Sequence, residues 1–162
     1  MKQPEDEQKP AYKIGKGTKV WHYVNILAGA TIGENCTIGS YVEIGRNVTI
    51  GDNCKIEAGA CIPEGVTIGN NVFIGPNAVF TNDKYPRIGG EWKLLNTTVK
   101  DGASVGANAT ILCGITIAEH CLIGAGSFVT RSTKPFGIYG GNPARLIGYA
   151  PAEPSKRENG QT

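Results

Sequence analysis

The chain has 162 residues, of which 23 are glycine, 19% are charged and 7% are aromatic. That length suits one domain with its own core, and that composition argues against a helical bundle. Sixteen basic against fourteen acidic side chains leave a net charge of +2, too little for the basic stripe that nucleic-acid binding uses.

Residues 1 to 13 are polar and contain proline, which predicts a flexible N-terminal segment with a short stretch over the first structural layer. They lack the apolar segment of a secretion signal, and no apolar run approaches the roughly 18 residues of a spanning helix. The expectation is a cytoplasmic protein with no membrane partner.

From Ile14 an aliphatic residue returns at every sixth position, through Val20, Ile26 and onward to Ile74, with Phe80 closing the run. Glycine often follows the aliphatic residue, and a small or branched residue often stands two before it. A period of six fits neither the 3.6 period of a helix nor a long alternating strand. It fits a short strand, a sharp turn where glycine or asparagine tolerates positive φ, and another short strand. Three such sides close a triangular coil of 18 residues, and coils stacked at roughly 4.8 Å pair their strands into parallel sheets. The interior is then a column of isoleucine and valine, whose β-branching suits strands.

After Phe80 the next step of six falls at residue 86, but the pattern returns at Val99, 13 residues later. A loop therefore leaves one corner, and the insertion is placed at residues 82–98. It carries Asn82, Tyr85, Arg87 and Trp92, a mixture of amphipathic aromatics and charge that suits a functional loop on a rigid scaffold. The hexads resume from Val99 to Val129, so the β-helix spans residues 14–131 and 18 repeat positions on three sides predict about six coils. Pro135 and Pro143 then break the period. Residues 132–150 are read as a C-terminal cap over the last coil, which covers an otherwise open strand edge. Residues 151–162 are charged and read as a disordered tail.

Five cysteines with no Cys-x-x-Cys pair argue against a disulfide framework or a zinc knuckle. Cys36, Cys54 and Cys121 fall on a repeat position that elsewhere holds alanine or valine, so they read as small buried hydrophobes.

The hexads resemble those of the hexapeptide-repeat proteins, and that resemblance implies an all-β fold, a left-handed parallel β-helix. Gly140-Gly141-Asn142-Pro143-Ala144-Arg145-Leu146-Ile147-Gly148, with Gly124-Ala125-Gly126-Ser127 before it, is similar to the ending of hexapeptide acyltransferases. In that family these segments line an acyl-CoA groove between two subunits of a trimer. The resemblance thus implies acetyl-CoA as co-substrate, a homotrimer, and CoA contacts from Ala107, Ala125, Gly126 and Arg145. Small residues at stacked turns leave room for a pantetheine arm, and a guanidinium fork suits phosphate oxygens.

The stretch from Phe73 to Arg87, followed by Gly106-Ala107-Asn108-Ala109-Thr110-Ile111, resembles the nucleotide-sugar N-acetyltransferases of O-antigen and S-layer glycan pathways. These acetylate the 3-amino group of a dTDP-linked 3-amino-3,6-dideoxyhexose or of a UDP-linked 2-acetamido-3-amino uronic acid. Trp21-His22-Tyr23 is similar to a segment of the uronic acid members, but Glu57-Ala58-Gly59 and Pro63 depart from them. The deoxyhexose is therefore the preferred acceptor and the uronate the alternative.

The resemblance places Asn82 at the reacting amine. Of the two histidines, His120 lies nearer the CoA-lining segments and is the candidate base, since an imidazole titrates near neutrality in water. Tyr85 and Arg87 in the loop, with Glu57, Trp21 and His22 in lower coils, are the candidate acceptor contacts. A metal-dependent hydratase on the same scaffold needs three histidines per zinc, and this chain has two, so no metal is expected. An O-acetyltransferase of the same fold is the remaining rival, although its members more often carry a histidine in the extended loop.

Overall fold

The computed structural model describes residues 12–151. Of the segment 1–13 expected to be flexible, residues 1–11 lie outside the described residues, while Lys13 already belongs to the first strand and pairs with Thr31; of the expected tail 151–162, all but Pro151 lies outside them.

Eighteen short strands wind into six complete coils of a left-handed parallel β-helix. Each strand ends on the repeat position of the hexad, and from Ile32 upward those side chains are buried, whereas Ile14 and Val20 of the first coil, with no rung below them, are 40% exposed. Ile38, Ile44, Ile56, Ile62, Ile74, Ile111 and Ile117 are all fully buried. The first face stacks Lys13–Ile14, Thr31–Ile32, Thr49–Ile50, Val66–Ile68, Thr97–Val99 and Thr116–Ile117. The second begins at Lys19–Val20 and ends at Leu122–Ile123, and the third runs from Asn25–Ile26 to Phe128–Val129. Partners lie 18 residues apart, as in Thr31 with Thr49, except across the loop, where Thr67 pairs with Thr98.

A strand of two residues cannot stand alone, so each rung is held by the ones above and below. The second small position of the hexad fills the corners from inside. Cys36, Cys54 and Cys121 are buried there as free thiols. Burial pushes the Cys54 thiol up to about 11 and raises that of Cys121, so these thiols stay neutral and unreactive.

Because the column has little freedom to collapse around a void, Ile74→Ala is expected to cost about 2–5 kcal/mol. Val79→Ala, on the outward face and 38% exposed, should cost well under half of that. Urea denaturation of the two variants checks the contrast.

Beyond the sixth coil the chain makes an antiparallel hairpin of Gly137–Gly141 and Ala144–Tyr149. Its first strand pairs in parallel with Leu122–Ile123 and adds a seventh rung to the second face. The second strand covers that rung, so the open edge ends in a hairpin.

Candidate functional site

The three corners place every candidate side chain. The first corner, between the first and second faces, carries His120 in the sixth coil. The second corner, between the second and third faces, carries Trp21 and His22 in the first coil, Glu57 in the third, Ala107 in the fifth, and Ala125 and Gly126 in the sixth. The third corner is where the chain leaves after Phe80 and re-enters at Thr97, so Asn82, Tyr85 and Arg87 stand there.

His120 occupies a left-handed turn with φ 53°, where most rungs of the same corner use asparagine or glycine. Its ring is held by packing. Phe136 stacks on one side, with centroids 4.9 Å apart and planes 15° from parallel. On the other side Gly102 has no side chain, and a Cβ there would run into the imidazole. The ring lines a hollow of about 600 Å³ together with Asn71, Asp101, Gly102, Ser104, Leu122, Ala150 and Pro151. Asp101 and Ser104 are polar neighbours that the motif reading did not select. Their signal was the register itself, since the Asp101–Gly102 turn stands one rung before the Glu119–His120 turn. Asp101 is partly engaged, because one carboxylate oxygen accepts a hydrogen bond from the Asn70 backbone N–H at 2.8 Å.

The loop is tied at its neck. The Leu95 N–H donates to the Asn82 carbonyl at 3.0 Å, and the Thr81 hydroxyl accepts from the Cys113 N–H at 2.9 Å. Leu94 packs on Gly65 and Leu95 on Gly114, so the loop's returning segment is clamped to the corner. Asn82 is half-buried at that neck and, with Asp83, Pro86, Arg87, Ile88 and Trp92, lines a hollow of about 450 Å³. Tyr85 stays outside it, 71% exposed, with the Lys84 ammonium 5.4 Å from its ring centroid. The Asp83 carboxylate accepts from the Tyr85 N–H at 2.9 Å, an Asx-turn that shapes the loop tip. Ile88, Trp92 and Tyr85 leave the loop with an exposed apolar side.

Within one chain, then, Asn82 and His120 flank the same face from opposite corners and line separate hollows. Ala107, Ala125 and Gly126 stack along the second corner, where the open turn at Gly126 has no heavy atom within 4 Å of a would-be Cβ. Arg145 is exposed on the hairpin and lines a hollow of about 220 Å³ with Arg131, Ser132 and Tyr139. Trp21 and His22 are far below, in the first coil. Glu57 pairs with Lys55 at 2.7 Å. Among the described residues no group of three or more His, Cys, Asp and Glu side chains is placed to hold a metal ion, and no helix is long and apolar enough to cross a membrane.

Residues 11–46, 47–82 and 96–131 match the family model described as bacterial transferase hexapeptide, six repeats. The unmatched stretch 83–95 falls within the loop. No curated protein matches the sequence. The fold is shared with a mutant of AntD, an N-acyltransferase from Bacillus cereus, in complex with dTDP and coenzyme A. The identity is 22%, the match covers 86% of this chain and 84% of that one, and the TM-score is 0.77. It is shared with PerB from Caulobacter crescentus in complex with CoA and GDP-perosamine, at 23% identity over 77% of this chain and 54% of that one, TM-score 0.68. The acetyltransferase domain of PglB from Neisseria gonorrhoeae is also similar, at 17% identity over 80% and 58% of the two chains, TM-score 0.68.

Proposed function

The chain belongs to the bacterial transferase hexapeptide family, and from that premise we propose that it is an acetyl-CoA-dependent N-acetyltransferase. Its acceptor is the 3-amino group of a nucleotide-linked amino sugar, a dTDP-linked 3-amino-3,6-dideoxyhexose, in cytoplasmic steps of surface-glycan biosynthesis. The observation that carries this reading is the imidazole of His120, clamped between Phe136 and Gly102 and presented to an open hollow. The fold likeness to AntD and PerB, whose structures hold CoA with dTDP or GDP-perosamine, supports CoA and a nucleotide-linked sugar as the two substrates.

The reaction needs a thioester carbonyl held against an amine, a donor for the developing oxyanion, and an acceptor for the amine proton. In the proposed site the amine nitrogen attacks the acetyl carbonyl, the new C–N bond forms, and the C–S bond breaks. CoA leaves as the thiolate, and the ammonium proton passes to His120 or to that thiolate. The Asn82 amide orients the amine. Ala107, Ala125 and Gly126 leave room for the pantetheine arm, and Arg145 meets a CoA phosphate.

Asn82 and His120 lie at different corners of one chain, so the site is completed by a homotrimer in which one subunit's loop reaches the His120 corner of the next. The exposed apolar side of the loop, Ile88 and Trp92, suits that contact. Light scattering on the purified protein should give three chains, and a monomer would overturn the shared site.

Free-thiol release from acetyl-CoA tests the reaction, using a panel of dTDP- and UDP-linked 3-amino sugars. Release is expected with one amino sugar, and Asn82→Ala should lower kcat/KM by about 10²-fold, the cost of a poorly placed reactant. Release with a sugar hydroxyl and with no amine would assign the protein to O-acetylation instead.

A further inference from the structure

The second corner carries an aromatic stack that the transfer chemistry above does not use. Every rung of that corner turns through a left-handed residue: Tyr23, Tyr41, Gly59, Asn77, Asn108 and Gly126, with φ between 55° and 73°. Asparagine and glycine take this conformation readily, whereas a bulky ring there is an outlier of the kind that gathers at functional sites. Tyr23 and Tyr41 nevertheless hold it and leave their rings 77% and 67% exposed. The rings stack with centroids 5.2 Å apart and planes 18° from parallel. The only other aromatic side chains at left-handed turns among the described residues are His120 and Phe136, and one of those is the proposed base.

Side chains at these turns lean onto the preceding rung. Asn35 reaches the place a Cβ of Gly17 would fill, Asn47 that of Gly29, and the His120 ring that of Gly102. By the same rule Tyr41 lies over Tyr23, and the residue due to lie over Tyr41 is Gly59, which has no side chain. The stack therefore has a vacant rung. Tyr41 is its floor, Gly59 its back wall, and the Asn77 amide, which leans onto Gly59, its ceiling. With coils roughly 4.8 Å apart, one missing rung takes one planar ring. On the adjoining second face Lys19 and Lys55 stand in register on either side of Thr37; Lys55 is paired with Glu57 at 2.7 Å, which leaves Lys19 to match a planar ligand that carries negative charge.

We infer that this slot binds the heterocyclic base of the acceptor's nucleotide, with Lys19 toward its phosphates. The inference rests on the acceptor being nucleotide-linked, as proposed above. Tyr41 supplies the stacking face, and Asn77 supplies a donor and an acceptor at the inner edge of the slot.

Two substitutions test it without breaking the coil. Gly59→Asn fills the slot and turns aside the Asn77 amide, whose Oδ1 stands where the new Cβ would be; asparagine on consecutive rungs is already accommodated at Asn35, Asn53 and Asn71 of the first corner. Tyr41→Asn removes the floor and puts a residue that favours positive φ in its place. Calorimetric titration of the full chain with dTDP and UDP should show binding of one of them, weakened about tenfold or more in each variant. Inorganic pyrophosphate should bind more weakly and be indifferent to both changes. The melting temperature of Tyr41→Asn should hold or rise, which a purely structural ring would not allow. Wild-type protein that binds neither nucleotide, or variants that bind as well as wild type, would overturn the slot. So would a Tyr41→Asn protein that loses its oligomeric state, because the stack would then be a subunit contact. Thiol release on the same samples separates the two readings. An active protein whose KM for the amino sugar is unchanged by Gly59→Asn overturns the slot and keeps the transfer. Tyr41-dependent nucleotide binding with no thiol release supports the slot and overturns the transfer.

Discussion

Replacing His120 with asparagine is expected to lower kcat by about 10²–10⁴-fold, the usual share of a positioned general base, while leaving the protein folded. The choice of asparagine is what makes the result readable. His120 sits at φ 53°, and Asn53 and Asn71 hold the same conformation lower on the same corner at 56° and 55°, so the turn accepts the substitute without strain. The stack on Phe136 is lost, but both rings are at the surface end of the column and the isoleucine core is untouched. A thermal melt should therefore move little while thiol release collapses. Near-full turnover in His120→Asn would take the base role away from this residue and leave the proton to the departing thiolate. Loss of the fold together with activity would instead assign the ring a structural role in closing the sixth coil.

The parts of this molecule that were legible in the sequence are those that repeat. The buried column from Ile32 to Val129, the burial of Cys36, Cys54 and Cys121, and the exit of the chain after Phe80 follow from one period and its single break, because each rung above the first coil has the same steric needs as the last. The His120 environment was not legible. Phe136 stands 16 residues beyond it, after the hexads end, and stacks only because the hairpin continues the coil for one more left-handed turn. Gly102 looked like any turn glycine until its Cβ position proved to be the place of an imidazole. The separation of Asn82 from His120 was hidden for a different reason. Closeness along the axis says nothing about which corner a turn occupies, and the corner is set by counting strands modulo three, a step that the motif resemblance bypasses.

Corner position also decides what a glycine substitution does, and here the largest loss of stability is expected. Gly106→Ala should leave little folded protein. The added Cβ would meet the Ala125 nitrogen at 2.5 Å, with the Ala125 Cα and the Gly124 carbonyl carbon both at 2.8 Å. These are backbone atoms of the next coil, fixed by the Gly106 N–H bond to the Ile123 carbonyl and by the Gly126 N–H bond to the Ala107 carbonyl, both 2.8 Å. Relief requires the fifth and sixth coils to separate, which breaks those bonds and opens the column above Val105. The cost exceeds the roughly 1–3 kcal/mol of ordinary overpacking, against a total stability of about 5–15 kcal/mol. Gly126→Asn, one coil higher at the same corner, is the contrasting case. No heavy atom lies within 4 Å of its Cβ position, and φ is 68°, a conformation asparagine tolerates. That protein should melt near the wild-type temperature yet bind acetyl-CoA poorly, since the side chain would stand in the space proposed for the pantetheine arm. Circular dichroism on both variants, with the KM for acetyl-CoA on the second, separates the two effects. A Gly106→Ala protein that melts normally would show that adjacent coils can slide apart. A Gly126→Asn enzyme with an unchanged KM would move the acyl donor away from the second corner.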